Sequence, residues 1–598
     1  SAFLGLEYIP MDAVQRIEIA AGPLSALYGP NAFLATVNII TTPASNGPHS
    51  EFAVRYRMLG KGGGSPGASG LMAFGHKNVS VLVALSADRL DRSGTELPRT
   101  FPAQNINPRL KAMFVGPSQN DISQPRSGYL SMQVNLERLG KVNLQGGLQS
   151  LDATGEFQTS SVLTHQSRLA LNNAWVSAGY DNQLTDGLSV HFTANAAAGE
   201  VSPLTQLYLT GNSAQFFRPN FGYQATNVGM SVDYAWEDRF SVKAGVDLDQ
   251  DVQTILYYTQ VSTTDVGTQP AGTSVDLIAA GEPKRQRTSD VGAYVQVGVA
   301  PLTRLKGLRL TGNFRVDKVS YGPADIPLQY SWRGAVVYEW SKKLVTKIIA
   351  GRAFQVPSGT ALFAQSGFGS QSNVIGHYPV AKLGLATSPI LKPQTIQSIE
   401  GVGSLRVGNL VTLEGAAYFQ QLEDKIEFRP VGADFVAANE QTTKILGATF
   451  SARMALGRFK PYMSVAYNQP VNLGVDPLRP RFHPLPVFPW LQGVAGVDVM
   501  APEIYAQMNF HARLSSARGG TSINTQLNNL SPYSLPAYVV MDASVSTLNL
   551  KLLGPTRETR VVAVIRNVLN QRHAEPGFGG FDLPGPGRSA MLEVRQMF

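Results

Sequence analysis

The 598-residue chain contains no cysteine, which excludes disulfide staples and thiolate metal sites. Charged residues make up only 15% of it. No apolar run approaches the ~20 residues of a spanning helix, so a membrane crossing would have to be made by a closed β-barrel, the other structure that satisfies its own backbone. Length by itself suggests about four soluble domains, yet no linker or composition shift divides the chain after residue 46. The formal charge of +8 is modest for this length and fits well-solvated turns and loops, or a weak attraction to an anionic surface or ligand. There is no nucleophile–base–acid constellation, no pair of carboxylates in a recognisable motif and no nucleic-acid fold signature. An enzyme and a nucleic-acid partner are therefore both disfavoured, and no cofactor is implied.

What the chain does have is glycine (58), phenylalanine (27) and tyrosine (21), set in repeated two-residue alternation. Leu130, Met132, Val134 and Leu136 alternate with Ser131, Gln133, Asn135 and Glu137. Beyond a tight turn, Val142, Leu144 and Leu148 alternate with Lys141, Asn143, Gln145 and Gln149. Met230, Val232, Tyr234 and Trp236 repeat the pattern, and so do Leu308, Leu310, Phe314 and Val316. One such hairpin would suit a soluble sandwich equally well. Repetition with short polar turns alternating with long loops is the pattern of a membrane barrel. About 22 strands are predicted, including 226–236, 240–250, 289–300, 307–317, 409–430 and 436–455, a size class whose lumen can hold a plug. The long segments 90–126, 200–225, 251–288, 354–392, 469–489 and 515–535 are predicted loops on one side of the barrel.

The most specific stretch runs from Val14 to Pro43. Ile17 and Ile19 alternate with Arg16 and Glu18, Gly22-Pro23 breaks the strand, Ser25 is a plausible helix cap, and Val37 to Ile40 is a second apolar strand. Gly22, Pro23, Ser25, Ala26, Leu27, Tyr28, Gly29, Asn31, Ala32, Asn38, Ile39, Ile40 and Thr41 fall in register with the closing segment of the plug domain of TonB-dependent outer-membrane receptors, which this segment resembles. Three further boxes are similar to that family's: Gly351 to Ser358, Leu391 to Thr395 running on through Glu400, and Arg566 to Arg572. The terminal Phe598 resembles the signal read by the outer-membrane assembly machinery.

The resemblance implies an antiparallel transmembrane β-barrel of about 22 strands (residues 47–598) around the C-terminal part of an α+β plug (residues 1–46). It implies a Gram-negative outer membrane, contact with its lipid and lipopolysaccharide, and a TonB-type energising protein if a TonB box precedes Ser1. The chain starts inside the plug and reads as processed or incomplete. Arg16, Glu18, Gly22, Pro23, Tyr28, Gly29 and Asn38 are the plug-motif residues. Where the family has arginine before Gly-Pro this chain has Ala21, and where it has glycine before the last plug strand this chain has Ala35. Plug-to-wall contacts are then expected from Arg16, backbone hydrogen bonds and packing of Tyr28, Val37 and Ile39.

Other site signals are local. Gly60 to Ser65 superficially suggests a phosphate loop, but its lysine precedes the glycines and a strand follows, so a hairpin loop is expected. Asp247, Asp249 and Asp251 have the spacing of a calcium loop's start but lack its glycine and closing carboxylate. Phe216, Phe217, Arg218, Tyr257 and Tyr258 fall in predicted loops, where stacked rings with a cation suit a planar or chelate ligand. His377 lies where haem-transporting relatives carry a haem-binding histidine. Two functions from different classes follow: energised uptake of a scarce ligand such as an iron-siderophore, haem or cobalamin, or a non-transporting barrel that docks partner subunits of an envelope assembly.

Overall fold

A computed structural model describes residues 9–42, 48–98, 100, 117–155, 157–158, 161–162, 165–208, 214–237, 239–265, 270–278, 284–300, 305–321, 324–366, 374–382, 391–431, 434–439, 442–472, 487–521, 524–525, 528, 531–577 and 582–598. Alternation of apolar and polar residues sets the outcome: each strand has one greasy face, and only a sheet bent round on itself can give all of those faces to lipid. The sheet is a closed antiparallel barrel of 22 strands. His49–Leu59 opens it and Ser589–Met597 closes it, in a register that sets Tyr56 opposite Leu592. Tyr56 and Leu592 are both more than half exposed on the outer face, whereas Arg55 and Glu593 point into the lumen. No helix among the described residues is long and apolar enough to cross a membrane; the strands are the crossing elements.

Strand lengths depart from the sequence expectation in two places. Gln215–Trp236 and Phe240–Ser262 run to 22 and 23 residues, far more than the ~9–11 that span a bilayer, so their upper halves stand clear of it as a ribbon. Much of the predicted loops 200–225 and 251–288 is therefore strand. Conversely, the predicted strands 409–430 and 436–455 each break. Asp424 takes a left-handed φ of 51°, the barrel strand ends at Glu423, and Ile426–Val431 turns away to pair with Asp434–Asn439. That hairpin joins Gln365–Ser366 and Val374–Ile375 in a four-stranded sheet outside the barrel wall's ladder.

The N-terminal unit comprises β1 (Val14–Ala21), α1 (Ser25–Tyr28) and β2 (Ala35–Thr41), with β1 and β2 antiparallel and Glu18 opposite Asn38. Of the segment 1–46, residues 1–8 and 43–46 lie outside the described residues. Gly22 and Gly29, at φ 97° and 79°, make the two turns that no β-branched residue could make. The unit lies against inward-facing wall residues. Asp12 pairs with Arg595, Tyr129 Oη bonds Thr41 Oγ1 at 3.2 Å, and Phe33 packs on Ala353 and Ile396.

Two outcomes follow from this architecture. Val246→Arg, on the lipid face of a central strand, should destabilise the folded barrel by about 2–4 kcal/mol in lipid vesicles, measured by denaturant unfolding. Arg595→Ala, which removes Asp12's partner, should speed proteolytic release of the N-terminal unit while the barrel stays intact. Unchanged cleavage would show that Asp12 does not anchor it.

Candidate functional site

The site lies inside the barrel, between α1 and the folded segments at the long-loop end. Ser25 was expected to cap α1, but the cap position is Leu24 and has no side-chain bond. Ser25 instead is fully buried, with its Oγ 3.3 Å from the carbonyl oxygens of both Ala32 and Phe354. Asn31 N–H donates to the same Phe354 carbonyl at 3.4 Å. The Gly351–Ser358 box thus provides the seat of α1 from the end of strand Leu344–Gln355.

Beside that seat lies a buried ion cluster. Arg315 on strand Leu308–Tyr321 is 1% exposed. Its Nε donates to Asp317 Oδ1 at 2.6 Å and its Nη1 to Asp247 Oδ1 at 2.7 Å, while Nη2 lies 2.6 Å from Asp247 Oδ2. The ladder sets Gly292 between Asp247 and Asp317, and a Cβ built there would lie 1.9 Å from Nη2. Only glycine lets the guanidinium cross that strand. On its other side the guanidinium meets Gly29, where a Cβ would approach Nη2 to 3.1 Å. A planar fork held by two carboxylates is a rigid surface, and α1 rests on it.

The sequence-expected plug contacts are arranged differently. Arg16 bonds Glu18 at 2.7 Å within β1, both side chains being about half exposed, and Asn38 reaches Glu18 at 3.4 Å. Tyr28 and Val37 are 62% and 51% exposed, so neither side chain is packed away against the wall as a core residue would be. The ribbon is held at both ends, its turn region at the Phe354 carbonyl and Arg315 and its open end at Tyr129 and, through Asp12, at Arg595. Pro23 is buried beside α1, and Gly22 N–H bonds Leu34 O at 2.8 Å to close the turn. Gly292 and Arg315 could not have been singled out from sequence, because neither falls in a motif.

At the long-loop end the chain folds over the lumen. Ile255, Val319, Tyr321, Ile326, Phe354 and Leu362 belong to one buried cluster, with Leu391 of the second box in the same core. Ser358 caps the short helix Gly359–Phe363, its side chain accepting from Ala361 N–H. A second, polar knot joins Tyr533 to Asp582 at 3.0 Å and to Asn524 at 3.1 Å; burial raises both the Asp582 carboxyl and the Tyr533 hydroxyl above their ordinary values.

These folds place most of the expected ligand residues on strands. Phe216, Phe217 and Arg218 pair across the ladder with Val261, Gln260 and Thr259, and Tyr258 and Tyr257 sit opposite Pro219 and Asn220, so the structure does bring the two groups together, but on strands. Phe216, Phe217 and Tyr257 are buried; Arg218 lies over the Phe216 ring and Lys284 over the Tyr257 ring, both at 5.8 Å. Those three rings brace the protruding ribbon, while Tyr258 and Arg218 are partly exposed. His377 is 4% exposed, with Nδ1 3.2 Å from Ala437 O. Gly60 to Gly63 form a hairpin turn, and Asp247, Asp249 and Asp251 lie on a strand. Among the described residues no three His, Asp or Glu side chains gather as a metal centre. Phe598 ends beside the first barrel strand, its N–H bonded to Ser50 O at 2.8 Å, with its ring half exposed.

Similarity to known proteins runs in the same direction. No curated protein matches the chain. Among solved structures, the siderophore receptor PiuA of Acinetobacter baumannii is 12% identical, with a TM-score of 0.69 over 98% of this chain and 87% of that one. A mutant of the ferric enterobactin receptor PfeA of Pseudomonas aeruginosa is 14% identical, with a TM-score of 0.72 over 99% and 86%. The copper transporter OprC is 14% identical, with a TM-score of 0.73 over 99% and 87%. At these identities the likeness is one of fold. Residues 116–568 match the family described as TonB dependent receptor-like, beta-barrel. With a closed 22-stranded barrel, a docked β1–α1–β2 unit and most of its length inside that match, this chain belongs to the TonB-dependent receptors, outer-membrane receptors and transporters rather than enzymes.

Proposed function

We propose that this protein takes up a scarce, chelated ligand across the outer membrane of a Gram-negative cell, with work supplied through a TonB-type protein. The observation that carries this reading is the docking of α1. It rests on the Phe354 carbonyl, the buried Arg315 and the packing of Phe33, while Tyr129–Thr41 and Asp12–Arg595 hold the rest of the unit, all separable contacts that a pull on the N-terminal unit could break without opening the barrel. Ligand binds at the long-loop end, which faces the cell exterior; release inward follows when the pulled state holds it less tightly than the resting one. The unit 1–46 acts as the plug and 47–598 as the barrel. Lipid and lipopolysaccharide surround the outer face, and Phe598 serves assembly.

The similar structures named for siderophores and for copper support a metal complex as cargo, and iron-siderophores fit best. The alternative, a barrel that docks partner subunits and transports nothing, was motivated by Ala21. Arg315 weakens that motive, since the wall supplies against Gly29 the guanidinium contact that Ala21 cannot make.

Deletion of the gene should lower uptake of a radiolabelled iron chelate, and a plasmid copy should restore it only in cells with an active TonB system. Unchanged uptake of iron, cobalt and copper chelates would refute transport and favour the docking role. A second outcome concerns the seat itself: Gly292→Ala should displace the Arg315 guanidinium and loosen α1, seen as faster deuterium exchange of residues 24–34. Exchange equal to the parent's would mean that Arg315 does not hold the plug.

A further inference from the structure

The lumen wall beneath the long-loop fold carries more negative charge than the Arg315 clasp uses. Asp247, Asp249 and Asp251 share the inward face of one strand at every second position. The next strand sets Asp290 directly opposite Asp249, and the one after it adds Asp317, two residues from Arg315. Arg315 engages Asp247 and one oxygen of Asp317. Asp249 accepts a bond from Asn227 at 2.7 Å. Asp290 is 6% exposed and neither of its oxygens has a partner; Asp317 Oδ2, Asn313 Oδ1 and Ser331 Oγ on the neighbouring strands are likewise buried and unpartnered.

Carboxylates facing each other across a ladder repel, and a buried carboxylate without a counter-charge is costly. Four of these unpartnered atoms, on Asp290, Asp317 and Asn313, can only accept a hydrogen bond, against one unpartnered donor on the neighbouring strand, Arg333 Nε, so acceptors and negative charge outweigh donors here. Because no three carboxylates converge at ligating distance among the described residues, the wall does not suit a naked ion that must shed its shell. It suits a cation that keeps its shell and offers donors on its outside. The position is also specific. On the same strands, Ile255 and Tyr321 of the apolar cover lie above these residues, Val319 is directly opposite Asp290, and Gly29 of the N-terminal unit lies against Arg315.

We propose that Asp249, Asp290 and Asp317 form a transit site on the lumen wall for a cationic cargo, one whose outer surface presents positive charge and hydrogen-bond donors. This deepens the uptake reading by naming the charge of what passes, and it is testable without transport. Hexaamminecobalt(III), an inert cation whose ammonia ligands donate but do not exchange, is the probe. Titrated calorimetrically into the purified full chain in detergent, it should bind saturably, and the Asp249→Asn/Asp290→Asn variant should bind at least tenfold more weakly. Asp152→Asn, which alters a carboxylate paired with Arg168 far up the wall, should leave binding unchanged. Asp290→Asn alone keeps the side-chain volume, and unboiled gel migration confirms that each variant barrel is closed. Equal affinity of the double variant and the parent, or no saturable binding by the parent, would overturn the site. Loss of the site with iron uptake intact would leave the uptake reading standing. Intact binding without any uptake would refute that reading alone.

Discussion

Everything in this structure depends on one requirement: in hydrocarbon, each backbone N–H and C=O must find its partner within the protein. A sheet meets it only by closing, and closure here is the pairing of His49–Leu59 with Ser589–Met597, more than 500 residues apart in sequence. Once the ring is closed, alternation leaves no freedom. Outward positions such as Val246, Val291 and Leu592 are apolar and more than two-fifths exposed, while inward positions are polar and must be satisfied inside the lumen. The lumen is therefore where this chain concentrates charge, and where α1 finds its seat.

The Arg315 cluster shows what that interior allows. An arginine buried among carboxylates is weak evidence for stability, because desolvation offsets much of the Coulomb attraction. Its geometry is more telling. The guanidinium crosses Gly292, is forked between Asp247 and Asp317, and presents its far side to Gly29. Two glycines and two carboxylates fix one plane, and that plane is a hard surface for a short helix with few other contacts. A seat of this kind holds position without burying much apolar area, which suits a part that has to leave.

The long-loop end solves a different problem. Long loops cost conformational entropy unless they pack on something. Here they pack on one another and on the rising ends of the strands, so Phe354 is at once a wall residue, a core residue of the cover and, through its carbonyl, a partner of Ser25 and Asn31. The cover and the N-terminal unit meet at that residue. Phe216, Phe217 and Tyr257 are buried in the ribbon formed by the two longest strands and stiffen it.

The sequence alone determined the barrel, its approximate strand count and the β1–α1–β2 unit, because two-residue alternation and glycine turns are local signals with a direct physical cause. The Val14 to Pro43 motif and the three barrel boxes placed the family for the same reason. Only the tertiary structure decided the rest. Whether Phe216 and Tyr257 face a ligand or a neighbouring strand depends on how far the strands rise above the bilayer, which alternation does not encode. That Asp424 ends a barrel strand rests on one left-handed residue. The pairing of Arg315 with Asp247, and of Asp12 with Arg595, joins residues 68 and 583 positions apart. Contacts of that span exist only once the ring has closed, so no local pattern can announce them.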